Sequence, residues 1–124
     1  MERLLRDGND PPVITAINLA EVLDVLVRVQ GQRPEAVAEK VDWLLAAGLD
    51  VIEADEVMAR EAARVRSERY HRTDAPISLA DSFTAAAAIL LEARLATADP
   101  ALARVAVAEG VEVVRLPDSA GRRP

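Results

Sequence analysis

Apolar and polar positions follow two periods along the chain. Short apolar runs bounded by turn residues occur at 13–16, at 49–53 ("LDVIE"), at 95–98 ("LATA") and at 111–116 ("VEVVRL"), and each predicts a strand. Between them, apolar residues recur three and four positions apart, as on one face of a helix. Leu19, Val22, Leu23 and Leu26, with Val27 or Val29, form one such series; it opens at Asn18 and runs to Gly31. Val37, Val41, Leu44 and Leu45 form the next, from Pro34 to Gly48. A proline in a first turn and a glycine just past the last one are ordinary helix boundaries.

Polar residues punctuate the remainder. Asp55 caps a long charged helix, "EVMAREAARVRSERYHR", which breaks near residues 73–76. Ser78 caps an alanine-rich helix in which Leu79, Phe83, Ala86, Ala87 and Leu90 share a face. Asp99 followed by Pro100 reads as an N-cap and first-turn proline, opening a helix to Glu109 and Gly110. "MERLLR" at residues 1–6 resembles the end of a helix, stopped by "DGNDPP", and residues 117–124 form a polar tail. Strands alternating with helices predict an α/β domain over residues 1–116, with a parallel sheet covered by helices on both faces. In such sheets ligands bind beyond the carboxyl ends of the strands.

Composition narrows the chemistry. Apolar residues make up 51% and charged ones 29%, as in a globular domain. No run of eighteen apolar residues and no basic-then-apolar leader is present, so the expectation is a cytoplasmic protein without a membrane span. There is no cysteine, which removes disulfides, thiolate metal sites and thiol nucleophiles. A single histidine, His71, disfavours chemistry that needs paired imidazoles and reads as a surface residue. With a net charge of −6 and only one Trp, one Tyr and one Phe, neither general basicity nor aromatic stacking would attract nucleic acid. A local basic strip or a metal-bridged phosphate site remains open.

Three acids fall where the strands hand over to helices. Glu21 is expected in the first turn of the helix after residues 13–16, and Asp99 directly after 95–98. Asp81 lies in the first turn of the alanine-rich helix, in reach of the same edge. Each also fits a capping role: Asn18-x-x-Glu21 and Ser78-x-x-Asp81 have the form of capping boxes, and Asp99 that of an N-cap. An oxygen-only donor set selects a hard cation, Mg²⁺ or Mn²⁺, which takes one or two carboxylates together with waters and phosphate oxygens. Such an ion can position and deprotonate water for attack on a phosphodiester.

"ITAINLAEVL" (14–23), "ISLADSFTAAAAI" (77–89) and "LATADPAL" (95–102), in this order and spacing, resemble PIN-domain nucleases, specifically the VapC-type toxins of bacterial toxin–antitoxin pairs. The resemblance covers roughly residues 1–116. It implies a three-layer α/β/α sandwich, Mg²⁺- or Mn²⁺-dependent endoribonuclease activity on RNA such as tRNA or rRNA, a small VapB-like antitoxin as partner, and a homodimer. Glu21, Asp81 and Asp99 match the family's second, third and fourth acidic positions, both catalytic and metal-binding. Asn18 and Thr97 match polar positions that support the metal site. Family members begin with an apolar central strand ending in Asp; this sequence opens where the following helix ends, and neither Asp7 nor Asp10 stands in for that acid. A start codon further upstream is the expected explanation, and a non-catalytic PIN remnant that binds antitoxin or RNA or dimerises is the alternative.

The densest basic stretch is Arg60, Arg64, Arg66, Arg69, His71 and Arg72. Arg60, Arg64, Arg69 and Arg72 are candidate RNA contacts, while interleaved Glu61 and Glu68 favour a solvated helix with internal ion pairs. Trp43, Leu44 and Leu45 would serve core or partner packing, and Arg122 and Arg123 a disordered tail.

Overall fold

The computed structural model describes residues 11–118 and Gly121. The helix end read at residues 1–6, the acids Asp7 and Asp10, and the tail arginines Arg122 and Arg123 lie outside these. Contacts divide the chain after Glu53 into two compact units.

In the first unit, strand β1 (Val13–Thr15) leads directly into helix α1 (Ala16–Asp24), which continues as a π-helical turn over Val25–Val29. Helix α2 (Pro34–Ala46) and strand β2 (Asp50–Ile52) follow. The two strands pair in parallel, Val13 with Asp50 and Thr15 with Ile52. One expectation is corrected here: α1 begins at Ala16, not at Asn18, and its N-cap is Thr15. Pairing with β2 keeps Thr15 extended, and its hydroxyl accepts the Asn18 N–H at 3.0 Å. Asn18 is therefore the third helical residue, and its side-chain oxygen accepts from the Thr15 hydroxyl. The helix expected to run unbroken to Gly31 instead widens at Val25 into a π-helical turn that holds three β-branched residues, Val25, Val27 and Val29.

Helix α2 starts at Pro34 and ends as the sequence implies. Gly48 adopts φ 115°, and the Gly48 and Leu49 N–H groups bond back to Leu45 and Leu44. Among the described residues of this unit only Thr15 and Val37 are fully buried; none of α1 is.

The second unit holds the main core. Asp55 caps helix α3 (Glu56–Arg69) by accepting the Met58 N–H at 2.9 Å. After Tyr70 the chain makes a tight turn closed by the His71–Ala75 backbone bridge. Helix α4 (Leu79–Leu91) opens at Ser78 and stops at Glu92, whose left-handed backbone (φ 51°) turns the chain toward strand β3 (Leu95–Thr97). Helix α5 (Pro100–Ala108) and strand β4 (Val113–Arg115) complete the unit, with β3 and β4 parallel. Val65 of α3, Ile77, Ala85 and Ala88 of α4, Leu95 of β3, and Ala101, Leu102, Val105 and Ala106 of α5 form one cluster. The alanines matter because a methyl side chain lets helix backbones approach closely with little rotamer entropy lost.

The expected single sheet appears among the described residues as two parallel pairs, β1–β2 and β3–β4. Each pair is joined through its own helices, the connection that parallel strands require. Parallel pairing throughout, with intervening helices, is the α/β arrangement expected. Among the described residues no helix is long and apolar enough to cross a membrane.

Candidate active site

Asp99 stands two residues beyond β3, as N-cap of α5. Its Oδ1 accepts the Ala101 N–H at 3.0 Å, while its own N–H donates to the Thr97 hydroxyl at 3.0 Å. Thr97, 8% exposed, thus fixes the backbone on which Asp99 sits. The other carboxylate oxygen of Asp99 has no hydrogen-bond partner among the described residues.

Asp81 occupies the capping box foreseen for α4. Its N–H donates to the Ser78 hydroxyl at 3.0 Å, and its Oδ2 accepts the Ser78 N–H at 2.9 Å. Its Oδ1 has no hydrogen-bond partner among the described residues. The short link from Leu91 to Leu95 joins the end of α4 to the amino end of β3, and Ala85, Ala88 and Leu95 belong to the same core cluster.

Glu21 lies elsewhere in its helix than the sequence suggested. With Thr15 as cap, the first turn of α1 carries no acid, and Glu21 falls in the second turn. A capping box with Asn18 is ruled out by that register. Glu21 is exposed, and among the described residues its carboxylate has no hydrogen bond or ion pair. It stands beyond the carboxyl end of β1, with Asn18 one turn before it.

The structure brings Thr97 and Asp99 into direct contact and binds Asn18 to Thr15. Among the described residues no three His, Asp or Glu side chains form a ready-made metal cage. The donor chemistry nonetheless fits a hard cation. Each side chain offers an oxygen to a cation, and among the described residues both caps use only one carboxylate oxygen and Glu21 uses neither. An ion such as Mg²⁺ keeps several waters and needs only one or two protein carboxylates.

The basic strip is largely committed to the protein. Arg64 donates to Glu109 at 2.8 Å and to Glu68 at 2.8 Å, and also pairs with Glu61. Arg69 donates to Glu109 at 2.8 Å and to the Ala108 carbonyl at 3.3 Å. Glu109 is 9% exposed in its side chain; the Arg64 guanidinium, then Arg69, holds its carboxyl below the usual range against the opposing effect of burial. Arg66 stacks on the Tyr70 ring and reaches the Ile77 carbonyl. Arg60 makes an exposed pair with Glu56, and Arg72 has no partner among the described residues. His71 is a surface residue, its Nδ1 accepting the Thr73 and Asp74 N–H groups.

Sequence reasoning missed Thr15 and Glu109. Thr15 could have been noticed as a hydroxyl between an apolar run and a helix. Glu109 had no local signal, because its partners lie 40 and 45 residues away.

No curated protein matches the chain significantly. The PIN-domain family profile, in contrast, matches residues 1–108. PIN domains are generally metal-dependent nucleases that use divalent ions. A match spanning most of the chain, over an α/β structure with parallel strands and acids at their carboxyl ends, shows that this chain belongs to the PIN-domain family.

Proposed function

We propose that the protein is a VapC-type toxin endoribonuclease, hydrolysing phosphodiester bonds of RNA such as tRNA or rRNA. Glu21, Asp81 and Asp99 hold Mg²⁺ or Mn²⁺, and Asn18 and Thr97 support the ligands. The observation that carries this reading is Glu21, an acid beyond the carboxyl end of a strand with no capping role and no partner among the described residues. Asp81 and Asp99 add one uncommitted oxygen each while their caps hold the carboxylates in place.

A divalent ion bound by these groups would offset phosphate charge and acidify a water for in-line attack. The protein's own part is positioning. Thr97 fixes the Asp99 backbone through the 3.0 Å bond to its hydroxyl, and Ser78 locks Asp81 from both sides. Rotation of either carboxylate away from the edge would break a helix cap, so both are held without reorganisation.

Arg60 and Arg72 serve as the RNA-contacting members of the basic strip in this reading. The exposed Arg60–Glu56 pair opens at little cost, whereas Arg64 and Arg69 would have to abandon Glu109. Homodimerisation and capture of a VapB-like antitoxin in the cytoplasm belong to the same proposal. Exposed apolar side chains of the first unit, Trp43 at 69%, Val29 at 62% and Leu45 at 41%, support a partner surface there.

The test is cleavage of total cellular RNA with Mn²⁺, with chelator, and with Asp99→Asn, alongside Mn²⁺ affinity for wild type, Asp81→Asn and Asp99→Asn. Asparagine caps helices as well as aspartate does, so the fold is spared. Expected are metal-dependent cleavage lost in Asp99→Asn and weakened Mn²⁺ binding in both variants. Unchanged Mn²⁺ affinity would return these acids to capping alone, and a folded, inactive wild type would leave the non-catalytic binding module.

A further inference from the structure

An all-carboxylate edge repels the substrate it is meant to cleave, so a cation delivered by the fold to the same edge would offset that repulsion. The strip on α3 supplies little, since its central arginines are tied to Glu109. The β3–β4 pair supplies one. Its six strand residues include a single charged side chain, Arg115, at the carboxyl end of β4.

The register fixes where that side chain stands. In a parallel pair, Cα partners project to the same face, and Leu95 pairs with Val113, Thr97 with Arg115. Leu95 is 2% exposed and Val113 packs on the core, so this face is covered at its amino end. Thr97 is still only 8% exposed, but its partner Arg115 is exposed: the covered face opens at this pair. Pairing continues one bond further, with the Leu116 N–H donating to the Thr97 carbonyl at 2.9 Å, so Arg115 is held on a rigid element. Adjacent strands lie about 4.8 Å apart. Arg115 therefore starts one strand spacing from Thr97, whose hydroxyl accepts the Asp99 N–H.

We propose that Arg115 is a phosphate-binding residue of this site, donating from its guanidinium to the non-bridging oxygens of an RNA backbone phosphate at the Asp99 edge. Arg115 already has an interaction of its own in the structure, which a bound phosphate would supplement or displace. The planar fork suits two phosphate oxygens at once, which a lysine cannot match. The role played is to hold substrate rather than to transfer protons. The proposal rests on the nuclease reading for its choice of ligand.

The test measures binding of a fluorescent single-stranded oligoribonucleotide of mixed sequence, in chelator, from 50 to 200 mM salt, for wild type, Arg115→Ala, Arg115→Lys and Asp99→Asn. One lost phosphate contact lowers the log–log salt slope by about 0.7 for a single strand. Expected for Arg115→Ala are that smaller slope, a several-fold weaker affinity at low salt, an unchanged melting temperature, partial recovery in Arg115→Lys, and a raised KM with kcat little altered in Mn²⁺. Affinity and slope equal to wild type would overturn the proposal, as would a loss accompanied by a lower melting temperature. Competition by polyglutamate as strong as by RNA would also overturn it, by pointing to an acidic peptide instead. If neither wild type nor Asp99→Asn cleaves RNA while Arg115 still sets the salt slope, the nuclease reading falls and the phosphate contact stands.

Discussion

Replacing Glu109 by glutamine removes the charge on which two arginines converge. Arg64 and Arg69 each approach Glu109 to 2.8 Å, and together they tie α3 to the end of α5. A hydrogen bond to a charged group contributes about 1.5 to 3 kcal/mol, so two give about 3 to 6 kcal/mol before discount. The arginine side chains are 37% and 36% exposed, so water takes over part of their solvation in the variant. Arg64 also keeps Glu61 and Glu68 as partners. Screening of this order roughly halves the figure, giving a loss of about 1.5 to 3 kcal/mol. With an m-value of about 1 to 3 kcal/mol per molar urea, the unfolding midpoint should fall by about 0.5 to 3 M.

The sign with pH follows from the direction of the Glu109 shift. Its carboxyl is held below the usual range, mainly by the Arg64 hydrogen bond. The stabilisation is therefore fully present above the unfolded glutamate value of about 4.3 and is lost as pH falls through the folded value below it. Urea unfolding of wild type and Glu109→Gln should show a constant gap from pH 6 to 8 that closes under acid. A gap below about 0.5 kcal/mol at pH 7, the level of an ordinary exposed pair, would refute the reasoning. So would a gap that persists at a pH where the carboxylate is protonated.

Arg69→Ala should weaken folding through the same network, with RNA affinity following only the folded fraction; a fold-neutral loss of RNA binding would reinstate Arg69 as a contact. Ile77→Ala removes a side chain that is 1% exposed in the central cluster, and chemical denaturation should record a loss of about 2 to 5 kcal/mol. Because the His71 Nδ1 accepts two backbone N–H groups, ¹⁵N NMR of this single-histidine protein should show the neutral imidazole as the tautomer with a bare Nδ1 and the hydrogen on Nε2; the opposite tautomer would contradict the turn.

Much of the local architecture was legible because its causes are local. Asp55, Ser78 and Asp99 cap the helices they were expected to cap, each by a bond spanning two or three residues. Pro34 and Gly48 mark the ends of α2 through backbone geometry that any sequence context would impose. The strands were found from short apolar runs, and the tertiary structure trimmed each to the three residues that pair.

Thr15 and Asn18 show where local reasoning stops. Both residue types cap helices well, and three positions separate them, so sequence alone cannot choose. Pairing of Thr15 with Ile52 makes the choice by keeping Thr15 extended, and that moves Glu21 out of the capping turn. The fate of the arginine strip was hidden for the same reason. Its spacing displays a helix face, but the acid that occupies Arg64 and Arg69 comes from the far end of another helix. By itself the sequence determined the caps at Asp55, Ser78 and Asp99, the turns, and the strand and helix order, since these depend on bonds a few residues long. Tertiary structure decided which of two caps is used, that Arg64 and Arg69 are held by Glu109, and that Arg115 ends its strand beside Thr97, since each depends on which distant segment arrives alongside.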